Sequence, residues 1–215
     1  MTDRPVIAVL DYGIGNLHSA QKALEKMGAD ARLTVDPDVV AGADGVVLPG
    51  VGAFGACMRS LRSLGLERPA LDAVASGRPF LGICVGMQML FDDSEEDGDA
   101  TGLGVIPGTV RWIPPGVKIP QMQWNRLQVV GDVDPMLADL GDDPWLYFVH
   151  SLHGVPRDPS VVAATCEYGV DLNAAFRLDN VFATQFHPEK SGTTGLRLLG
   201  NFVRICAAPR AGVGP

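Results

Sequence analysis

Short apolar runs and amphipathic stretches alternate along the first part of the chain. Val6-Ile-Ala-Val-Leu10, Asp30 to Val35, Gly45-Val-Val-Leu48 and Pro79 to Ile83 read as strands, three of them almost wholly apolar. Unbroken apolar character over so few residues suits a strand buried on both faces. Leu17, Ala20, Leu24 and Met27 recur at helical spacing, with Gly28 placed to end that helix. Further helices are predicted over Phe54 to Leu64, Glu67 to Ser76 and Val85 to Phe91. This alternation predicts an α/β fold with a doubly wound, mostly parallel sheet and helices on both faces.

The pattern changes after Phe91. Gly104 to Ile113, Lys118 to Trp124, Leu127 to Val130, Trp145 to Val149, Val161 to Glu167 and Ala174 to Arg177 are short, and many are bounded by Gly, Pro or Asp. They read as additional antiparallel strands that extend or cover the parallel sheet. Val181 to Phe186 is a last strand, followed by a helix with Leu196, Leu199, Val203 and Cys206 on one face and Thr193 or Thr194 as its cap. No repeat or long linker divides the chain, so residues 1–206 are expected to form one domain, with 207–215 as a flexible tail.

Composition narrows the function class. A net charge of −8 argues against a nucleic-acid surface, which needs clustered Lys and Arg. No basic segment leads into an apolar stretch at the start, so neither a signal peptide nor a membrane span is expected. Cys57, Cys84, Cys166 and Cys206 are widely spaced and contain no C-x-x-C, which suits reduced thiols in a cytoplasm rather than disulfides or zinc. Asp92 to Asp99 holds six acidic residues in eight and reads as a solvated loop, since nothing fixes the geometry a metal cage needs. The turn Asp11-Tyr-Gly-Ile-Gly-Asn16 lacks G-x-G-x-x-G, which makes a dinucleotide site a weak reading. No cofactor and no metal are predicted.

The candidate chemistry centres on Arg78-Pro-Phe-Leu-Gly-Ile-Cys84-Val-Gly-Met-Gln88. Gly82 and Gly86 flank Cys84 in a G-x-C-x-G pattern, the thiol counterpart of the nucleophile elbow, with the sulfur at a helix N-terminus that favours thiolate. A buried core cysteine in an ordinary turn fits the same pattern. Pro188 keeps His187 out of helical conformation, so His187 and Glu189 are expected at i and i+2 of an extended segment, facing one way. A carboxylate there fixes the imidazole tautomer and frees the other ring nitrogen to take a proton from a thiol. His18, His150 and His153 have no such partner in sequence. Gln88 lies one helical turn after Cys84 and faces the same way, whether toward a substrate or along a helix surface. Pro49-Gly-Val-Gly52 follows a buried strand, so its backbone N–H groups either face a ligand or belong to a plain turn.

Gly-Ile-Cys84-Val-Gly-Met-Gln88 and Phe-His187-Pro-Glu189-Lys-Ser together resemble the class I (triad) glutamine amidotransferases, flavodoxin-like in fold. Asp11-Tyr-Gly-Ile-Gly-Asn16, Leu48-Pro-Gly-Val-Gly-Ala-Phe54, Lys118-Ile-Pro-Gln-Met-Gln-Trp-Asn125, Tyr147-Phe-Val-His-Ser151 and Thr165-Cys-Glu-Tyr-Gly169 narrow the resemblance to one subfamily. It is the glutaminase subunit of imidazole glycerol phosphate synthase, of histidine biosynthesis, and the likeness runs from about Val6 to Phe202. The resemblance implies that Cys84 attacks glutamine, His187 shuttles the proton and Glu189 orients His187, through a γ-glutamyl thioester. It further implies an oxyanion site of backbone N–H groups at Gly50, Val51, Gly52 and Val85, with L-glutamine held by Gln88, Ser151 and Leu152. The ammonia would pass to a cyclase subunit, a (β/α)₈ barrel, in a heterodimer without nucleic acid or membrane. Asn16, Trp124, Tyr147 and Lys190 match the partner-facing positions, although each equally suits an ordinary surface or packing role. The usual Met-Gly-Trp-Asn reads Met122-Gln123-Trp124-Asn125 here, which removes a glycine's freedom beside that face. Other readings are an amidotransferase serving another synthase, a non-catalytic scaffold for a barrel partner, and a DJ-1-like cysteine hydrolase or peptidase.

Overall fold

In the computed structural model, residues 4–208 are described. The first apolar runs form β1 (Val6–Leu10), β2 (Asp30–Thr34), β3 (Gly45–Gly50) and β4 (Phe80–Cys84). Between them lie α1 (Leu17–Lys26), α2 (Pro37–Gly42), α3 (Phe54–Ser63) and α4 (Glu67–Ala75). Helix α2 is too short to show a period in sequence. Its start is nonetheless well formed, because Asp36 accepts a hydrogen bond from Asp38 N at 2.9 Å and Pro37 stands in the first turn.

The rest of the chain runs through α5 (Val85–Gln88), β5 (Phe91–Ser94), β6 (Ile106–Trp112), β7 (Gln121–Arg126) and β8 (Gln128–Val129). It continues as β9 (Trp145–His150), β10 (Leu152–Pro156), β11 (Val162–Glu167), β12 (Asp171–Leu178), β13 (Val181–Thr184) and α6 (Gly192–Ala207). The main sheet has the order β2-β1-β3-β4-β13-β12-β11-β8. It is parallel from β2 to β13, and β12, β11 and β8 extend it antiparallel. The chain leaves β1 toward β2 and then returns past it to β3. With right-handed crossovers this reversal sends helices to opposite faces and opens a crevice beyond the carboxyl ends of β1 and β3.

Three expectations are corrected. The helix begun at Val85 stops at Gln88, and Phe91 instead opens β5, where its ring packs edge-on against Phe176 at 5.3 Å. The added strands, expected to extend or cover the main sheet as antiparallel strands, include one parallel pair. β5 pairs parallel with β6 in a separate sheet of order β10-β6-β5, and β7 pairs with β9 in a two-stranded one. Thr193 and Thr194 lie inside α6, whose N-cap is Ser191. The Ser191 hydroxyl makes no cap because it donates to the His187 carbonyl at 2.6 Å. Of the tail expected to be flexible, Ala207 closes α6, and residues from 209 onward lie outside the described residues. Among the described residues no helix is long and apolar enough to cross a membrane.

The turn from β4 into α5 is packed backbone on backbone. Gly50 lies beside Cys84 in register, and a Cβ on Gly86 would overlap the Leu48 carbonyl oxygen. A Cβ on Gly50 would come within 2.7 Å of both Gly86 N and the Tyr12 hydroxyl. Gly86→Ala must therefore push β3 and the elbow apart. Overpacking of this kind costs about 3 kcal/mol, so the thermal midpoint should fall by about 6–12 °C. A melt within about 2 °C of the parent chain would show that the two segments are not locked together.

Candidate active site

Every residue that faces the crevice comes from the carboxyl end of a parallel strand or from the small sheets beside it. A cleft of about 600 Å³ is lined by Gly15 and Asn16 after β1, Val51 and Gly52 after β3, and Cys84, Val85 and Gln88 at the elbow. His150, Ser151, Leu152, His187 and Lys190 close the other side, with Glu96, Pro120 and Val149. Cys84 has φ +55° and ψ −113°, a conformation a side chain adopts only where its surroundings impose it. The strand ends at the cysteine, so the sulfur projects into the cleft while the backbone turns sharply away. Helix α5 has only four residues, so any contribution of a helix dipole is smaller than the sequence suggested.

His187 approaches from the end of β13. The segment after it is a single 3-10 turn, Pro188–Lys190, and not the extended run expected from Pro188. Pro188 supplies a fixed φ at the start of that turn and no N–H that needs a partner. The turn carries Glu189 back beneath the ring, where Oε1 meets His187 Nδ1 at 2.8 Å with both side chains almost fully buried. Ser191 locks the geometry, donating to the His187 carbonyl at 2.6 Å and accepting from Tyr147 N at 2.9 Å. The Tyr147 carbonyl in turn accepts from His187 N at 3.0 Å.

The electrostatics follow from these contacts. Burial alone would lower the pKa of His187, but the Cys84 sulfur and the Glu189 carboxylate outweigh it and raise the value to about 9. His187 Nε2 has no partner in strict hydrogen-bond geometry, but it faces the Cys84 sulfur closely enough for that group to hold the proton on the ring. At neutral pH the ring is thus an imidazolium beside the Cys84 sulfur, able to hand its proton to a departing amine. His150 behaves in the opposite way. It is buried, with Nδ1 2.7 Å from the Leu152 carbonyl oxygen and Nε2 2.7 Å from Gln121 Oε1, a contact that a neutral ring makes with the Gln121 amide turned to present its NH₂. Burial pulls its pKa down to about 4, so this ring is neutral.

The Gly50–Gly52 turn is held at both ends. Tyr12, whose hydroxyl burial keeps protonated, donates to the Pro49 carbonyl at 2.5 Å. The Cys57 thiol donates to the Val51 carbonyl at 3.3 Å. Gln88 is buried, and its Nε2 donates to the Leu152 carbonyl at 3.3 Å and to Gln185 Oε1 at 3.2 Å. It is therefore not a helix-surface residue. Glu96, which the sequence left in a solvated acidic loop, accepts from Phe54 N at 2.8 Å at the start of α3 and borders the cleft. Asp97 pairs with Arg59 at 3.2 Å, so part of that acidic run is structured, although exposed. Among the described residues no group of three or more His, Cys, Asp or Glu side chains could hold a metal ion.

The remaining predicted positions divide. Lys190 and Asn16 line the cleft, and Asn16 Nδ2 lies 3.5 Å from Glu189 Oε1. Trp124 and Tyr147 are paired across β7 and β9, their rings meeting edge-on at 6.1 Å. They sit on the outer face of that ribbon with Met122, Val149 and Trp145. Met122 is 65% exposed, and Trp124 and Trp145 are each 47% exposed, an unusual amount of apolar surface beside a cleft mouth. Gln123 stands opposite Phe148 in regular register without a positive φ. No glycine-specific backbone is needed there. Residues that sequence reasoning missed are Tyr12, Glu96, Gln185 and Ser191. For Gln185 a signal existed, namely a polar residue inside an apolar strand and two places before His187.

Residues 8–206 match the family described as glutamine amidotransferase class-I. The chain is 50% identical over 211 residues to the imidazole glycerol phosphate synthase subunit HisH of Synechococcus elongatus, covering 97% of each chain. It is 52% identical over 203 residues to the protein of the same name from Geobacter sulfurreducens, covering 91% of this chain and 97% of that one. Among solved structures, PurLQS from Thermotoga maritima superposes with a TM-score of 0.71 at 20% identity, covering 94% of this chain and 99% of that chain. At that identity the likeness concerns the fold.

The two histidines give stability two pH limits. An unfolded histidine titrates near 6.5. For His150, held neutral with a pKa of about 4, the stabilisation is whole above about pH 6.5 and is lost as pH falls toward 4, about 3 kcal/mol in all. For His187, raised to about 9, it is whole below about pH 6.5 and is lost as pH rises through 9. Urea midpoints measured across this range should fall on both sides, and His150→Gln should flatten the acid limb alone. An unchanged acid limb in that variant would remove His150 as its cause.

Proposed function

The chain belongs to the class-I glutamine amidotransferase family and, within it, to the HisH subunits of imidazole glycerol phosphate synthase, and from this we propose that it is the glutaminase of that synthase in histidine biosynthesis. The observation that carries the site assignment is the convergence of Cys84, His187 and Glu189 at one rim of the sheet, with the His187–Glu189 pair at 2.8 Å.

In this reading the Cys84 proton rests on His187, and Sγ attacks the side-chain carbonyl carbon of L-glutamine as the thiolate. The carbonyl oxygen takes the negative charge and is met by backbone N–H groups of Val85 and the Gly50–Gly52 turn. One preorganised donor of this kind is worth about 3–4 kcal/mol of barrier. His187, an imidazolium at neutral pH, protonates the departing nitrogen, and ammonia leaves. The neutral ring then takes a proton from water as it attacks the γ-glutamyl thioester, which releases glutamate and restores the thiolate–imidazolium pair. Glu189 keeps the ring oriented and compensates its charge. Gln88, with Ser151 and Leu152, holds the amide end of the substrate. The Glu96 carboxylate at the cleft border suits the α-ammonium end.

Ammonia passes from this site to the cyclase subunit, a (β/α)₈ barrel, for synthesis of imidazole glycerol phosphate and aminoimidazole carboxamide ribotide. The exposed face of Met122, Trp124, Tyr147 and Trp145 is the surface we assign to that partner, since a buried centre rich in aromatic residues and Met is what such interfaces favour. The contact of His187 Nε2 with Cys84 lacks strict hydrogen-bond geometry, and such contacts tighten on assembly with substrate, which supports a low basal rate in the free subunit.

Two outcomes are expected. Glutamine hydrolysis measured with and without the cyclase and its nucleotide should be slow for the free chain and rise in the loaded complex. In that complex Cys84→Ala should lose activity about 10⁴-fold or more. Unchanged glutamine-dependent turnover in this variant would leave the chain as a scaffold only. Trp124→Ala should weaken the cyclase complex by about 2 kcal/mol, about thirtyfold in Kd. Titration calorimetry giving parental affinity would move the interface elsewhere.

A further inference from the structure

Gln185 is completely buried two residues before His187, where an uncharged polar side chain needs partners and the mechanism above gives it none. It has two. Its Nε2 lies 3.9 Å from Cys84 Sγ, and its Oε1 accepts from Gln88 Nε2 at 3.2 Å. The orientation of both amides follows from one atom. The Leu152 carbonyl can only accept, so the Gln88 group 3.3 Å from it is the NH₂. The same NH₂ faces Gln185, which therefore presents its oxygen there and turns its own NH₂ to the sulfur. The second lone pair of the Leu152 carbonyl takes His150 Nδ1–H at 2.7 Å. Both hydrogens of the Gln88 amide are then engaged, which leaves its Oε1 for the cleft.

We propose that Gln185 is a positioning residue with two effects: its NH₂ donates to Cys84 and favours charge on the sulfur, and its oxygen holds Gln88 so that an acceptor faces the substrate. This rests on the glutaminase reading for its substrate and on geometry alone for the sulfur. An acceptor at Gln88 matches the NH₂ of a glutamine side chain. It repels the carboxylate of glutamate, which has no hydrogen to give. The site is thereby biased toward substrate over its own product. The other ionisable groups facing the sulfur are His187 from the turn after β13, Tyr12 after β1 and Cys57 in α3, with Glu96 and Lys190 at the cleft border.

Two variants of the full chain separate these effects. Gln185→Glu keeps an oxygen for Gln88 and replaces the donor to sulfur by an acceptor, while Gln185→Met removes both. Alkylation of Cys84 by iodoacetamide, followed by mass spectrometry from about pH 5 to about pH 10, reads the thiolate without reference to glutamine. Both variants should shift the midpoint upward by about one unit, about tenfold slower below it. In the cyclase complex, Gln185→Met should lower the preference for glutamine over glutamate, KM against product Ki, by about tenfold, and Gln185→Glu should keep it within about twofold. Parental alkylation profiles in both variants would overturn the effect on sulfur. An unchanged KM-to-Ki ratio in Gln185→Met would overturn the effect through Gln88. Should the profiles shift in a chain that hydrolyses no glutamine in any form, the sulfur effect stands and the glutaminase reading fails.

Discussion

Two backbone segments cross at the cleft with no side chain between them, and the geometry of the whole site depends on that crossing. Leu48 to Gly50 runs against Gly86, and the Tyr12 hydroxyl fills the remaining space against Pro49. A cysteine at φ +55° is strained on its own by about 1–3 kcal/mol. It persists because the register of β3 with β4 and the absence of a Cβ at Gly86 leave the chain no other path. The same crossing sets the distance from the sulfur to the Gly50–Gly52 turn. Nucleophile and anion-binding peptides are thus positioned together, by packing and not by loop chance.

Around that frame the polar groups are arranged by sign. The sulfur faces an imidazolium and an amide NH₂, both donors. Behind them the Leu152 carbonyl accepts from Gln88 and from His150. His150 is kept neutral by burial while His187, less than forty residues away in sequence, is kept charged by its neighbours. A second cation here would compete with His187 for the same negative charge, so the depressed pKa of one ring supports the raised pKa of the other.

The small sheets give the site its second wall. β9 contributes to both sides of the problem: the backbone of Tyr147 bonds His187 N and Ser191, while its ring lies outside against Trp124. The strand that fixes the imidazole therefore also carries the exposed apolar face. A partner pressing on that face touches an element directly bonded to the histidine, which is a short physical route from docking to the catalytic ring. Gln123 does not disturb it, because regular pairing opposite Phe148 asks nothing of that residue that a glycine alone could give.

What the sequence determined by itself is whatever depends on a few adjacent residues. Apolar runs specify buried strands, G-x-C-x-G specifies a sharp turn at Cys84, and a histidine two places from a glutamate across a proline specifies a pair on one side. Even the detail that the last pair meets through a 3-10 turn changes only how they meet. The tertiary structure decided what depends on strand order. Gln185 reaches Gln88 across 97 positions and Gln88 reaches Leu152 across 64, contacts that exist only because β13 lies beside β4 and β10 lies over the elbow. Glu96 becomes a cap for α3 because β5 leaves the elbow early and brings the acidic run back to the cleft. Local sequence controls backbone conformation through sterics and periodicity. Which buried donor finds which acceptor is settled only when the sheet closes, since an unpaired polar group in the core costs more than any local preference can offset.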